Sequence, residues 1–224
     1  MNPQHACYIL GAAPLVGSWP EPLPGDMIIA ADAGWKHLLE LGWRADAVIG
    51  DFDTDAPPPD TLFPEPRVSI IRLPAEKDDT DMAAAIQLGL DSGHSIFYLL
   101  GGTGGRLDHT LANIQCLAAL AGLGHAAFLT DNGATLTALA GPGTIAFPDG
   151  SRGTVSIFAH SDWVGGVTLA GFKYPLKDAS LVNTRALGVS NELTGGAASA
   201  SIGRGTAIVV FPDALRPNLI RNEA

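Results

Sequence analysis

Short apolar runs recur through the first 130 residues, each ending in glycine, proline or aspartate, and helically spaced apolar positions lie between several of them. The runs at 6–10, 27–31, 48–50, 68–73, 95–100 and 126–130 read as buried strands. Helices are expected over 33–41, stopped by Gly42, and from about 80 to Gly93, with Met82, Ile86, Gly89 and Leu90 on one face. A third is expected from Leu107 through Leu111, Ile114 and Leu117 to Ala121. Residues 55–60, with Pro64 and Pro66 behind them, cannot form a regular element and read as a surface crossover. From about Ala134 the pattern changes. Short alternating runs at 144–147, 154–160, 180–189, 197–202 and 206–211 follow one another between glycine and proline turns, with no helix until the last few residues. That spacing predicts a β-sandwich or small barrel. The change of pattern places a boundary near Ala140-Gly141-Pro142-Gly143, giving domains 1–140 and 141–224.

Candidate chemistry gathers at the carboxyl ends of the first set of runs, where open α/β sheets bind ligands. Val48-Ile49-Gly50 runs into Asp51-Phe52-Asp53-Thr54. In an extended segment Asp51 and Asp53 would share one face and reach a common ion, and Gly50 would let the backbone approach that ion or a phosphate. Paired hard oxygens suit Mg²⁺ held against substrate phosphates; the plain alternative is a surface turn with two solvated acids. Asp32 stands at another strand-to-helix junction, as a helix cap or as a site residue. In Asp78-Asp79-Thr80-Asp81, Thr80 reads as a cap and Asp81 as a third ligand, although acids in a first turn also simply favour the helix dipole. The loop Gly101-Gly102-Thr103-Gly104-Gly105-Arg106 offers backbone N–H groups to phosphate oxygens, and Arg106 adds a two-donor fork. Asp108 and His109 follow in the first turn of the next helix. The small-residue turn at 11–14 is a weaker nucleotide signal, since no complete Gly-x-Gly-x-x-Gly or Walker pattern accompanies it.

Composition narrows the classes. A net charge of −10 argues against a nucleic-acid surface, which needs a basic footprint. A chain 46% hydrophobic and 16% charged has ample material for a globular core. No stretch approaches the roughly 18 apolar residues of a membrane span, and the start lacks a basic leader region, so a cytoplasmic location is expected. Cys7 and Cys116 fall in apolar surroundings and are expected to be reduced core thiols. The six histidines have no zinc-ligand spacing.

In their order and spacing, Ala31-Asp32-Ala33-Gly34, Gly50-Asp51-Phe52-Asp53, Lys77-Asp78-Asp79-Thr80-Asp81 and the loop from Gly101 to His109 resemble the thiamine pyrophosphokinase (thiamine diphosphokinase) family. Gly171-Phe172-Lys173-Tyr174-Pro175-Leu176 and Ser190-Asn191 look like that family's carboxy-terminal signature. The resemblance implies a Rossmann-like α/β/α nucleotide domain with a mostly parallel sheet, followed by a β-sandwich that binds thiamine and dimerises. It implies a homodimer with sites at the subunit interface, Mg²⁺ as cofactor, and pyrophosphoryl transfer from ATP to the thiamine hydroxyl with release of AMP. On that reading Asp51, Asp53 and Asp81 hold Mg²⁺. Gly101, Gly102, Gly104, Gly105 and Arg106 hold the triphosphate, and Asp108 or Asp32 steers the alcohol or takes its proton. His109 is a supporting group, and Ser190 and Asn191 belong to the vitamin pocket. The sequence departs from the family pattern in having Thr54 where serine is usual, and in lacking an aromatic residue directly after Asn191. Two other readings are a metal-dependent phosphohydrolase, disfavoured by the lack of a histidine ligand set, and a non-catalytic nucleotide- or thiamine-binding protein.

Overall fold

The structure, a computed structural model, describes residues 5–53, 58, 68–76 and 78–221. Most of the expected crossover around 55–66, Thr54 and Lys77 therefore lie outside the described residues. Contacts divide the chain into two units, Met1–Asn113 with Leu129–Asp131, and Ile114–Phe128 with Asn132–Ala224.

In the first unit, β1 (Ala6–Leu10), β2 (Met27–Ala31), β3 (Ala47–Gly50), β4 (Ser69–Arg72) and β5 (Ile96–Leu100) pair in parallel, in the order β5-β1-β2-β3-β4. All five residues of β1 are buried, as a parallel strand covered on both faces requires, and its run is correspondingly apolar throughout. A 3-10 turn, Asp32–Gly34, leads into α1 (Trp35–Leu41), which ends at Gly42 with φ 66°. Glycine is favoured there because a left-handed residue closes the helix. On α1 Leu38 is fully buried, while Leu39 is exposed. α2 (Asp81–Asp91) buries Met82, Ala85, Ile86 and Gly89. A core around Tyr8, Leu10, Leu38, Val48 and Leu100 joins these elements, with the Tyr8 ring stacked on Tyr98 at 4.8 Å. Cys7 is buried, and burial first, then the charges of Asp46 and Asp26, push its thiol up to about 12. Cys116 is only half-buried.

Two acids tie down the amino ends of the strands. Asp26 accepts the N–H groups of Ala6 and Leu23, each at 2.8 Å, and Asp46 accepts that of Ile28 at 2.8 Å. Their carboxylates are committed to backbone donors and are structural. The acids of the candidate site lie after the strands, at the other end.

α3 (Leu107–Leu123) begins in the first unit and continues in the second. Its buried positions include Asn113, Leu117, Leu120 and Ala121, whereas Leu107 and Leu111 are 72% and 56% exposed. Apolar periodicity marks a stripe without saying which edge of it is covered. Here the covered edge takes in Asn113, whose amide finds a backbone partner inside.

β6 (Ala126–Asp131) is followed by β7 (Ala134–Ala140), β8 (Gly143–Phe147), β9 (Arg152–Ala159), β10 (Trp163–Ala170), β11 (Leu176–Val182), β12 (Gly188–Thr194), β13 (Ala198–Ile202), β14 (Thr206–Pro212) and β15 (Asn218–Arg221). In the second unit, β12-β9-β14-β7 and β11-β10-β13-β8-β15 are antiparallel sets. Their alternating inward residues form a core in which Phe147 meets Phe172 and Phe211 edge to face, at 6.0 and 5.8 Å. The turn at 140–143 lies between β7 and β8, and β7 pairs with β14 along its whole length. β7 and β10 were not anticipated, the 180–189 run splits between β11 and β12, and the last described residues, Asn218–Arg221, form strand β15. β10 escapes notice because Gly165-Gly166 reads as a turn, whereas shifts in its pairing with β11 absorb both glycines. No described helix is long and apolar enough to cross a membrane.

Candidate active site

The strand order reverses at β1, with β2 on one side and β5 on the other, so the carboxyl ends of β1 and β5 mark the switch point where open α/β sheets take ligands. The turns leaving these strands interlock. Gly11 N–H donates to the Leu100 carbonyl at 2.7 Å, and Ala13 N–H to that of Gly101 at 3.1 Å. Gly101 has φ 61°, and a Cβ there would stand 2.7 Å from the carbonyl oxygens of Gly11 and Ala13. On the far side, His37 Nε2 meets the Ala13 carbonyl at 2.9 Å and ties α1 to the same turn. A cavity of about 820 Å³ opens at this point, within the first unit, and that is room for a nucleotide.

The acids reach the cavity by different routes. β3 stops at Gly50, and Phe52 has φ 56°, so Asp51 and Asp53 do not lie on an extended segment. The chain turns instead, and Asp53 N–H donates to Asp51 Oδ1 at 3.2 Å. Strand alternation is therefore not what brings the two together, although both line the cavity. A left-handed Phe costs on the order of 1–3 kcal/mol; Phe52 is held by packing against the first unit's core and by the Arg72 guanidinium, 5.5 Å from its ring centroid. At Gly50 a Cβ would sit 3.1 Å from Asp32 Cα, so the glycine admits the Asp32 backbone. Thr80 caps α2, its Oγ1 accepting Ala83 N–H at 3.1 Å, while Asp79 and Asp81 line the cavity.

Asp32, at φ 49°, makes no helix-capping bond. Its carboxylate accepts the Ala33 N–H, while Oδ1 is buried with no hydrogen-bond partner. Burial raises its pKa above the ordinary carboxylate value; the Ala33 bond opposes the rise, and the charges of Asp81, Asp51 and Asp53 add to it. Among the described residues no three acidic, histidine or cysteine side chains form a metal cage by themselves. The donors are all hard oxygens under mutual repulsion. That set suits a cation taking its remaining ligands from phosphate and water. Asp32→Asn should accordingly be more stable than the parent at pH 7, because Asn keeps the left-handed backbone and loses the charge. Since the folded pKa lies above the unfolded one, the ionised group destabilises at high pH. The gain must therefore fade as pH falls below the unfolded value of about 3.9, where both states are protonated. Urea unfolding at the two pH values measures this, and an unchanged midpoint at pH 7 contradicts the strain.

The glycine-rich loop divides its labour. Gly101 and Gly102 are buried, and Gly102 gives its carbonyl to Asn113 Nδ2 at 2.6 Å. Gly105, Arg106 and His109 line the cavity; Gly104 and Asp108 do not. Arg106 grips Asp108 with two donors, Nε to Oδ1 at 3.2 Å and Nη2 to Oδ2 at 2.6 Å. Both side chains are exposed, and the Arg106 bond holds the Asp108 carboxyl below its ordinary range. Thr103 and Asn113 also line the cavity and were missed. A polar residue in register with Leu117 and Ala121 was the available signal for Asn113; Thr103 gave none beyond its place in the loop.

Ser190 and Asn191 lie in the second unit, on β12. Ser190 is exposed at φ 58°, its N–H donating to Ser156 Oγ at 3.0 Å. Asn191 is buried. Its Nδ2 donates to the Tyr174 carbonyl at 2.7 Å, and its Oδ1 accepts from Tyr174 N–H at 3.0 Å and Glu192 N–H at 2.9 Å. Lys173 and Glu192 pair at 2.9 Å alongside, so the two carboxy-terminal motifs form one stitched feature that presents the exposed Tyr174 ring. Asn191 acts as a backbone clamp. Asn191→Ala should cost about 1–2 kcal/mol by leaving the part-buried Tyr174 and Glu192 backbone groups without their partner, read as a lowered denaturation midpoint.

Residues 24–126 match the family model described as "Thiamin pyrophosphokinase, catalytic domain", and residues 144–205 match "Thiamin pyrophosphokinase, vitamin B1 binding domain". The chain is 30% identical over 183 residues to a curated thiamine pyrophosphokinase of Bacillus subtilis, covering 81% of this chain and 85% of that one. A crystal structure of the enzyme from Bacillus subtilis superposes with a TM-score of 0.80 at 27% identity, over 92% of this chain and 98% of that one. One from Geobacillus thermodenitrificans gives 0.77 at 30%, over 92% and 97%. The yeast enzyme shares the fold at 16% identity, with a TM-score of 0.76 over 96% and 88%. On these matches, spanning both units, the chain belongs to the thiamine pyrophosphokinase family.

Proposed function

We propose that this protein transfers a pyrophosphoryl group from ATP to the hydroxyl of thiamine, giving thiamine diphosphate and AMP. The observation that carries the reading is the meeting of Asp32, Asp51, Asp53 and Asp81 with the loop of Gly105 and Arg106 in one cavity at the switch point. In the reaction the thiamine oxygen attacks the β-phosphorus, the bridge from α- to β-phosphorus breaks, and AMP leaves with the bridging oxygen. Positioning and charge stabilisation account for most of such catalysis. Asp51, Asp53 and Asp81 would hold Mg²⁺, which when bound neutralises phosphate charge. Arg106, Gly101, Gly102 and Gly105 hold and orient the triphosphate, with His109 in support; Gly104, expected among them, lies outside the cavity lining. Asp32 takes the hydroxyl proton in this reading, since Asp32 lines the cavity and Asp108 does not.

The parallel first unit is read as a Rossmann-like α/β/α nucleotide domain and the antiparallel second unit as a β-sandwich for thiamine and dimerisation, corresponding to 1–140 and 141–224. Ser190 contributes to the vitamin pocket directly, and Asn191 through the turn it clamps. The working form is a homodimer with sites shared across subunits, acting in the cytoplasm. Incubation with ATP, Mg²⁺ and thiamine tests the reading: AMP and thiamine diphosphate are expected, whereas ADP with thiamine monophosphate would replace it by single phosphoryl transfer. Sedimentation tests the dimer, and a fully active monomer would remove the shared site.

A further inference from the structure

Thr103 sits in the turn that leaves β5, between two buried glycines and the solvent-facing end of the loop. It is only 7% exposed, it lines the cavity, and its hydroxyl oxygen is buried with no hydrogen-bond partner. Other threonine hydroxyls in this chain are used: Thr137 Oγ1 donates to the Ala127 carbonyl at 2.7 Å, and Thr80 Oγ1 caps α2. A turn threonine normally bonds a nearby backbone group; Thr103 does not. If its role were packing alone, valine would have the same shape without an unsatisfied hydroxyl.

The chemistry around it names the ligand. Acids Asp32, Asp51, Asp53 and Asp81 come from the ends of β2 and β3 and the start of α2, whereas the 101–106 loop brings Arg106 and backbone donors. A group on this loop meets the anionic part of a ligand, where a hydroxyl donates and a phosphate oxygen accepts. We propose that the Thr103 hydroxyl donates a hydrogen bond to a phosphate oxygen of the bound nucleotide, so that Thr103 is a nucleotide-binding residue in addition to Arg106. The inference rests on the proposed use of this cavity for ATP.

The test compares wild type, Thr103→Val and Thr103→Ser by calorimetric titration with the Mg²⁺ complex of α,β-methylene-ATP, which cannot break between the α- and β-phosphorus, and by melting without ligand. Thr103→Val should bind the analogue about ten- to a hundredfold more weakly, the effect of losing one hydrogen bond to a charged acceptor. It should melt no lower than wild type, because a methyl replaces an unbonded hydroxyl. Thr103→Ser should bind within about twofold of wild type, since it keeps the donor. A purely structural role moves melting and binding together and cannot give this pattern. Binding by Thr103→Val within twofold of wild type overturns the proposal, as does weakened binding by Thr103→Ser or a lowered melting point for Thr103→Val. If wild type forms AMP and thiamine diphosphate while Thr103→Val binds normally, only this inference falls. If wild type binds no analogue, the nucleotide reading of the cavity falls with it.

Discussion

Asp51→Asn is expected to leave the protein folded and to lower turnover by about 10³-fold at saturating ATP, thiamine and Mg²⁺, the scale seen when one preorganised electrostatic group is lost. The substitution is discriminating because of the local geometry. Asp51 Oδ1 accepts the Asp53 N–H at 3.2 Å, and an asparagine carbonyl accepts it equally, so the turn survives while the charge goes. Mg²⁺ with ATP should raise the melting temperature of wild type and raise that of Asp51→Asn much less, because ligand stabilisation follows affinity. Turnover near that of wild type would remove Asp51 from the cation site. Asp81→Asn supplies the comparison. Thr80, not Asp81, caps α2, so the helix start stays intact and a comparable loss of turnover would report the site. If Asp81 acts only on the helix dipole, stability drops by about 0.3–1 kcal/mol and turnover is unaffected.

Arg106→Lys should lower kcat/KM by about 10²-fold. In the structure the guanidinium fork is closed on Asp108, and both groups face solvent. An exposed pair of this kind contributes little to stability, so a nucleotide phosphate can take the fork from Asp108 at small cost. Lysine presents a point charge and cannot reproduce two parallel donors. If Arg106 works in the transition state, the loss appears in kcat at saturating ATP; if it only binds, it appears in the Michaelis constant for ATP. A variant unchanged on both counts would leave Arg106 as one half of a surface ion pair. Ionic strength separates the effects further, since added salt weakens the exposed pair with Asp108 more than a contact formed inside the cavity.

Much of the first unit was legible in the sequence because its signals are local. The run Ala-Cys-Tyr-Ile-Leu is apolar at every position because a parallel strand is covered on both faces; Gly42 ends α1 through its own backbone freedom; Thr80 caps α2 through a bond to Ala83, three residues away. The order of acidic and glycine-rich motifs likewise marked the strand ends that carry the site. The second unit was less legible. Two glycines in β10 read as a turn until pairing with β11 absorbs them, and the Ala-Thr-Leu-Thr-Ala-Leu-Ala of β7 has too few large apolar residues to stand out as a strand until β14 pairs with it.

What the sequence determined by itself, then, is which residue types stand at which strand ends, because side-chain chemistry and local conformational preference are properties of neighbours in the chain. What only the tertiary structure decided is which of those groups are spent on the protein itself. Asp26 and Asp46 are satisfied by backbone donors, and Asn191 by Tyr174 and Glu192. Asp32 Oδ1 and the Thr103 hydroxyl are buried and unbonded. Satisfaction of a buried polar atom depends on partners brought from distant parts of the chain, and no spacing or periodicity records it.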